Sequence, residues 1–266
     1  YEEFWGNFGA VLKEGIYEDP GHKEKLLDLA RFRSTLNEDS WVSLSDYVSR
    51  MPDKQTSIYY LSADNNTAAR SSPHIEGFKA RGIEVLIMTD PVDQFWLPAV
   101  GDWDGKAFQS VTQGSSDLNE FELAEKKTLE ESETEGLGEV DRLIAIVKLT
   151  LGETVKDVRT SDRLTDSPVC LVADTGDVDM HLERLLQMHK QPVQEQQRVL
   201  EINPSHKMIR TLAGMVKEEG SSGVLADASH LLLDQAKILE GKPVSDPVAF
   251  SQRFSTLLSL GLSKQK

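Results

Sequence analysis

Ser57-Ile-Tyr-Tyr-Leu61 and Ile83-Glu-Val-Leu-Ile-Met88 are the stretches whose reading decides the fold. Both are rich in β-branched and aromatic residues, and turn formers bound them, Asp64-Asn65-Asn66 after the first and Gly82 before the second, so both read as strands. Residues 74–80 between them read as a helix. A strand, helix, strand order predicts a parallel pair with a crossover, and with it a small α/β layer.

Working outward, Phe4, Trp5, Phe8, Leu12 and Ile16 recur at three- and four-residue steps and predict a helix over residues 2–16 with those side chains on one face. Leu26, Leu27, Leu29, Ala30 and Phe32 repeat the signal after Pro20-Gly21. Downstream the character changes: residues 117–135 carry eight acids against Lys126 and Lys127, a net −6, and read as an acidic helix or hinge. A second domain is expected from residue 136. It opens with a helix through Leu137, Val140, Leu143, Ile144 and Val147, followed by three strands at 155–159, 169–173 and 199–202. Asn203-Pro204 reads as a helix start. Two long helices, 223–239 and 246–260, close the chain with a break at Gly241-Lys-Pro243. The expected class is therefore α/β (α+β), divided into 1–116, 117–135 and 136–266.

Twenty-nine Lys and Arg against 44 Asp and Glu give a formal net charge of −15, which disfavours nucleic acid and anionic membrane surfaces as partners. No apolar run approaches the roughly 20 residues that span a bilayer. Cys170, the single cysteine, lies in the apolar run Pro168-Val-Cys-Leu-Val-Ala173 and reads as a buried, inert thiol. The first residue is Tyr1, with no signal sequence behind it, and the start reads as a cut through a longer protein.

Phosphate-binding loops of the G-x-x-x-x-G-K-[ST] and strand-linked G-x-G-x-x-G types are absent, as are H-E-x-x-H, paired C-x-x-C and G-x-S-x-G. The six histidines are scattered. The expectation is a chain with no catalytic residues, no metal ligands and no cofactor of its own.

Several ordered segments resemble the ninety-kilodalton heat-shock chaperone (heat shock protein 90) family, of the bacterial type. They are Phe8-Gly-Ala-Val-Leu-Lys-Glu-Gly-Ile-Tyr-Glu-Asp19, Val42-Ser-Leu-Ser-Asp-Tyr47 with Arg50-Met51, Gly82-Ile-Glu-Val-Leu-Ile-Met-Thr-Asp-Pro-Val-Asp93, Arg163-Leu-Thr-Asp-Ser-Pro168 and Leu200-Glu-Ile-Asn-Pro-Ser-His206. The resemblance implies the carboxy-terminal half of such a chaperone. Residues 1–116 would be the distal α/β/α part of the middle domain, and 136–266 a dimerisation domain with a three-stranded sheet and a helical bundle. It also implies that the ATP-binding domain, with its ATP and magnesium, lies outside this chain, so that the chain is no enzyme while its full-length parent is an ATPase. The ending Gly261-Leu-Ser-Lys-Gln-Lys266 lacks the acidic tail of eukaryotic cytosolic members, which favours a bacterial, cytoplasmic protein.

Partly folded client proteins and a second copy of the chain are the partners so implied. Over residues 176–189, Val178, Leu182, Leu185 and Leu186 fall within about 100° of one another on a helix. Such a face ordinarily packs into a core; the matching helix of the family instead offers it to clients. Phe95 and Trp96 are the second client-binding candidates, and because adjacent aromatics on a helix point about 100° apart, one face cannot bury both. For the closing helices, Leu225, Leu231, Leu232, Ala236, Leu239, Phe250, Phe254, Leu257 and Leu258 supply more apolar surface than one hairpin covers, and are assigned to a dimer interface. A dimerisation scaffold without client binding is the alternative.

Overall fold

The computed structural model describes residues 1–37, 40–114, 118–121, 137–174, 176–188 and 196–263. Of the acidic stretch 117–135, all but residues 118–121 lies outside the described residues. The chain forms two compact units, residues 1–125 with 178–193, and residues 126–177 with 194–266.

The first unit is built on β2 (Ser57–Ser62) and β3 (Leu86–Met88), which pair in parallel with Tyr60 opposite Leu86, as the strand-helix-strand order predicts. Three further strands were not anticipated: β1 (Arg33–Ser34), β4 (Asp102–Trp103) and β5 (Lys106–Ser110). They extend the sheet to the order β1-β3-β2-β5-β4, with β5 parallel to β2 and the two edges antiparallel. Because side chains alternate across a strand, β2 and β3 feed two cores. Ile58, Leu86 and Met88 pack with residues of α1 (Glu2–Glu18), α2 (Lys23–Leu29), α3 (Leu44–Ser49) and α6 (Asp93–Val100). Tyr59, Leu61 and Ile87 turn to the opposite face, against residues of α4 (Asn66–Arg70) and α5 (Glu76–Ala80). The result is an α/β/α layer.

Local chemistry sets these helix ends. Ser43 and Asp46 form a reciprocal capping box on α3, with the Asp46 N–H donating to Ser43 Oγ at 3.0 Å, and the Ser43 hydroxyl holds the Asp46 carboxyl below its ordinary range. Asn65 Oδ1 caps α4 by accepting from the Ala68 N–H at 2.8 Å.

Helix α1 is rotated from the face that its aromatics predict. Trp5, Gly9, Lys13 and Ile16 are buried, whereas Phe4 and Phe8 are exposed. Two features turn it. Lys13 is drawn inside by Asp90 at 2.8 Å and Asp93 at 2.9 Å, and Gly9 makes room for the Trp5 indole, which a Cβ at that position would meet at 2.7 Å.

In the second unit, β6 (Asp157–Thr160), β7 (Val169–Val172) and β8 (Val199–Ile202) form a sheet of order β6-β8-β7, parallel between β6 and β8 and antiparallel between β7 and β8. Helix α7 (Leu137–Leu151) packs on β6, and the later helix α10 (Ser222–Leu239) on β7 and α7. Cys170 is buried in β7. Glu201 of β8 is buried between two arginines, Arg159 at 2.9 Å and Arg163 at 3.0 Å, with the Ser161 hydroxyl at 2.8 Å. Asn203 does not cap the helix that follows. Its side chain donates to the Ser167 carbonyl and accepts from the Ser205 N–H, which holds residues 203–206 in a turn, so α9 (Lys207–Gly214) is capped by His206 instead. No described helix is long and apolar enough to cross a membrane.

Candidate functional site

Helix α8 (Met180–Met188), within the first unit, is seated by polar groups. Asp179 at its N-terminus is buried; one carboxylate oxygen accepts from the Ser110 hydroxyl at 2.7 Å and the Thr112 hydroxyl at 2.9 Å, and the other from the His181 N–H at 2.9 Å. Arg184 reaches Asp64. Burial pushes the His181 imidazole below its ordinary range, and Arg184 beside it acts in the same direction. Met180 and Glu183 are the buried members of the helix. Val178, Leu182, Leu185 and Leu186 are half-buried and Met188 is exposed. The helix therefore turns a mixed polar side inward and leaves its leucine stripe partly open, an arrangement that spacing alone could not assign.

The two aromatics of α6 separate as their 100° offset requires. Phe95 is 52% exposed, while Trp96 is fully buried. This corrects the assignment of Trp96 to a client surface. Its indole N–H donates to Asp93 at 2.8 Å and its ring packs between Phe32 and Phe108, so it is core.

The closing hairpin divides in the same way. Leu225 and Ala236 of α10 are buried within their own unit and do not line the open face, which corrects their place in a pairing surface: α10 packs on α7 and β7. Leu232 is buried as well, at the floor of the groove described next. Helix α11 (Pro247–Ser263) has no buried residue and packs on α10. Leu239, Phe254 and Leu258 are exposed; Leu231, Phe250 and Leu257 are half-buried. An open apolar groove of about 720 Å³ runs along the two helices, and Leu231, Leu239, Phe250, Phe254 and Leu257 line it. Sequence reasoning missed Met208 and Leu212 of α9 and Ile238 of α10 on the same groove. The four-residue step from Met208 to Leu212 was the available signal.

Among the described residues no group of three or more His, Cys, Asp or Glu side chains could hold a metal ion.

A sequence model of the Hsp90 protein family matches residues 1–266. The chain is 48% identical to the chaperone protein HtpG of Paramagnetospirillum magneticum over 262 residues, which is 98% of this chain and 42% of that protein. It is 46% identical to HtpG of Roseobacter denitrificans over 264 residues, again 98% of this chain and 42% of the relative. HtpG of Nitrosococcus oceani is 42% identical over 260 residues. The chain thus spans about two fifths of the length of these relatives. These matches correct three sequence expectations. They are made to the family through the whole chain and to a share of each relative, and they do not single out a carboxy-terminal half. The assignment to that half is withdrawn. So are the statements that the ATP-binding domain, with its ATP and magnesium, lies elsewhere and that the chain is no enzyme. What the match fixes is membership: this chain belongs to the Hsp90 protein family of chaperones.

Proposed function

We propose that the chain holds apolar stretches of partly folded client proteins on the open side of α8 and on Phe95, and that it pairs with a second copy through α10 and α11. The observation that carries the first part is the seating of α8. A helix fixed by Asp179, Ser110, Thr112 and the Arg184–Asp64 pair does not need its leucine stripe to stay in place, which leaves Val178, Leu182, Leu185 and Leu186 for a weak, unspecific apolar contact. For the second part, Phe254, Leu257 and Leu258 lie on a helix with no buried residue, and a symmetric four-helix arrangement would remove that surface from water. A bacterial cytoplasmic setting agrees with the relatives' source, and the net charge of −15 argues against nucleic acid and anionic membranes as partners.

Replacing Leu185 and Leu186 by Ser tests the client reading. Thermal melting should hardly move, while affinity for a reduced, unfolded model protein should fall. A large loss of stability with undiminished client binding by the surviving folded protein would overturn it. If the unaltered chain binds no unfolded protein at all and still pairs, the scaffold alternative stands in its place.

A further inference from the structure

The sheet of the first unit changes its direction of winding at β2. From β2 the chain runs through α4 and α5 on one face to β3, then returns through α6 on the other face to β5, on the far side of β2. Strands β3, β2 and β5 are parallel, and they end at Met88, Ser62 and Ser110. In an open parallel sheet such a reversal leaves a crevice beyond the carboxyl ends of the strands, the place where doubly wound proteins bind their ligands.

Here the chain fills that place itself. Asp179 brings its carboxylate to the Ser110 hydroxyl at 2.7 Å and the Thr112 hydroxyl at 2.9 Å, at the end of β5. Arg184 pairs with Asp64, just beyond β2, and His181 lies close enough for the charges of Asp64 and Asp93 to act on its imidazole. Ser110 is 1% exposed and Thr112 4%, and both hydroxyls meet the same carboxylate oxygen. The other oxygen accepts from the His181 N–H, a donor that α8 carries with it. The two hydroxyls therefore complete a cap that their occupant begins, and a helix opened by an acid is what they fit.

Helix α8 is built as a removable occupant. Of its nine residues Met180 and Glu183 are the buried ones, and among the described residues neither core of the first unit includes one from it. Lifting it breaks polar contacts and opens neither core, which sets it among the less stable elements of the fold.

We propose that this crevice is a binding seat for an acid-capped amphipathic helix of a partner protein, with α8 as its resident occupant, so that the seat opens when α8 lifts. Ser110 and Thr112 take the incoming carboxylate as they take Asp179, and Asp64 takes a cation five residues further along, as it takes Arg184. The seat lies beneath α8 and does not draw on the open leucine stripe assigned to clients.

A fluorescent peptide copying residues 176–188, with blocked ends, tests this when titrated into the unaltered chain and into the Asp179→Ala variant, with binding read by anisotropy. The variant should bind it roughly tenfold or more tightly, because in the unaltered chain the resident helix holds most of the seats. A peptide carrying Asp179→Asn keeps every leucine, and it should bind the variant roughly tenfold or more weakly, the scale of a lost charge-assisted bond. Ser110→Ala added to the variant should weaken the original peptide alike. In the unaltered, isotope-labelled chain an excess of the original peptide should lower hydrogen-exchange protection of the α8 amides, a readout that does not depend on the Asp179→Ala variant folding. Equal binding of the two peptides would assign the contact to the leucines and overturn the proposal. So would a folded Asp179→Ala variant that binds no peptide, or undiminished α8 protection under peptide excess.

Discussion

The ammonium of Lys13 lies 2.9 Å from the carboxylate of Asp93, 80 residues further along the chain, and both side chains are almost fully buried. Burial works against the charge on Lys13, yet Asp93 and Asp90 more than offset it and hold the ammonium above its ordinary range. The Asp93 carboxyl is pushed up by its own burial, against the opposing pull of Lys13 and the Trp96 indole. Removing one partner strands the other. Lys13→Met should destabilise the first unit by about 3–5 kcal/mol in urea unfolding, and Asp93→Asn in the same background should recover part of it. The sign with pH follows from the raised Lys13: its contribution is complete below the ordinary lysine pKa and is lost as pH rises through the higher folded value. The unaltered chain should therefore lose stability at the alkaline end, and the Lys13→Met variant should lack that step.

The pair Phe95 and Trp96 separates surface from core within two residues. Trp96→Ala should cost about 3–5 kcal/mol, as large buried aromatics do. Phe95→Ser should change stability by roughly 0.5 kcal/mol or less. If Phe95 contacts clients, the second variant should nevertheless bind an unfolded model protein more weakly, measured by fluorescence anisotropy.

For the closing hairpin, charged residues at Phe254 and Leu258 should yield a folded monomer by sedimentation, with the dimer dissociation constant raised roughly a hundredfold or more. Leu232→Asp should instead unfold the second unit, because Leu232 is 3% exposed. A Phe254 and Leu258 variant that stays dimeric would place pairing elsewhere.

His181 gives the seat of α8 a pH dependence. Burial depresses its imidazole, helped by Arg184 and opposed by Asp179, Asp64 and Asp93, so the seated helix prefers the neutral ring. The stabilisation is complete above the unfolded value of about 6.5 and is lost as pH falls through the depressed folded value. Hydrogen-exchange protection of the α8 amides should decrease on acidification below that point, and His181→Gln should flatten the profile.

The parallel pair of β2 and β3 was legible because both strands are strongly β-branched and a helix separates them. Strands β1 and β4 were not, since two residues each carry no period. The α1 face was misjudged for a reason that composition hides: a lysine entered the core because two aspartates waited there, and two phenylalanines were left outside. In the candidate site, apolar periodicity located α8, α10 and α11, but could not tell which leucines their own unit already covered. Leu225 and Ala236 share the hairpin's apolar pattern with Leu239, Phe254 and Leu258, and only their burial within the unit divides them. The seat of α8 depends on Ser110 and Thr112, about seventy residues upstream of Asp179, a pairing no local pattern announces.

The threading of the two units has a consequence for how the chain is made. Residues 1–125 emerge from the ribosome with their sheet complete but without α8, which arrives only after residues 126–177 of the other unit have been synthesised. Ser110, Thr112 and Asp64 must wait for Asp179 and Arg184, so neither unit is finished before residue 193. The same threading means that no single cut separates the units whole. Any exchange of one unit between related proteins has to carry two segments, or leave its latch behind.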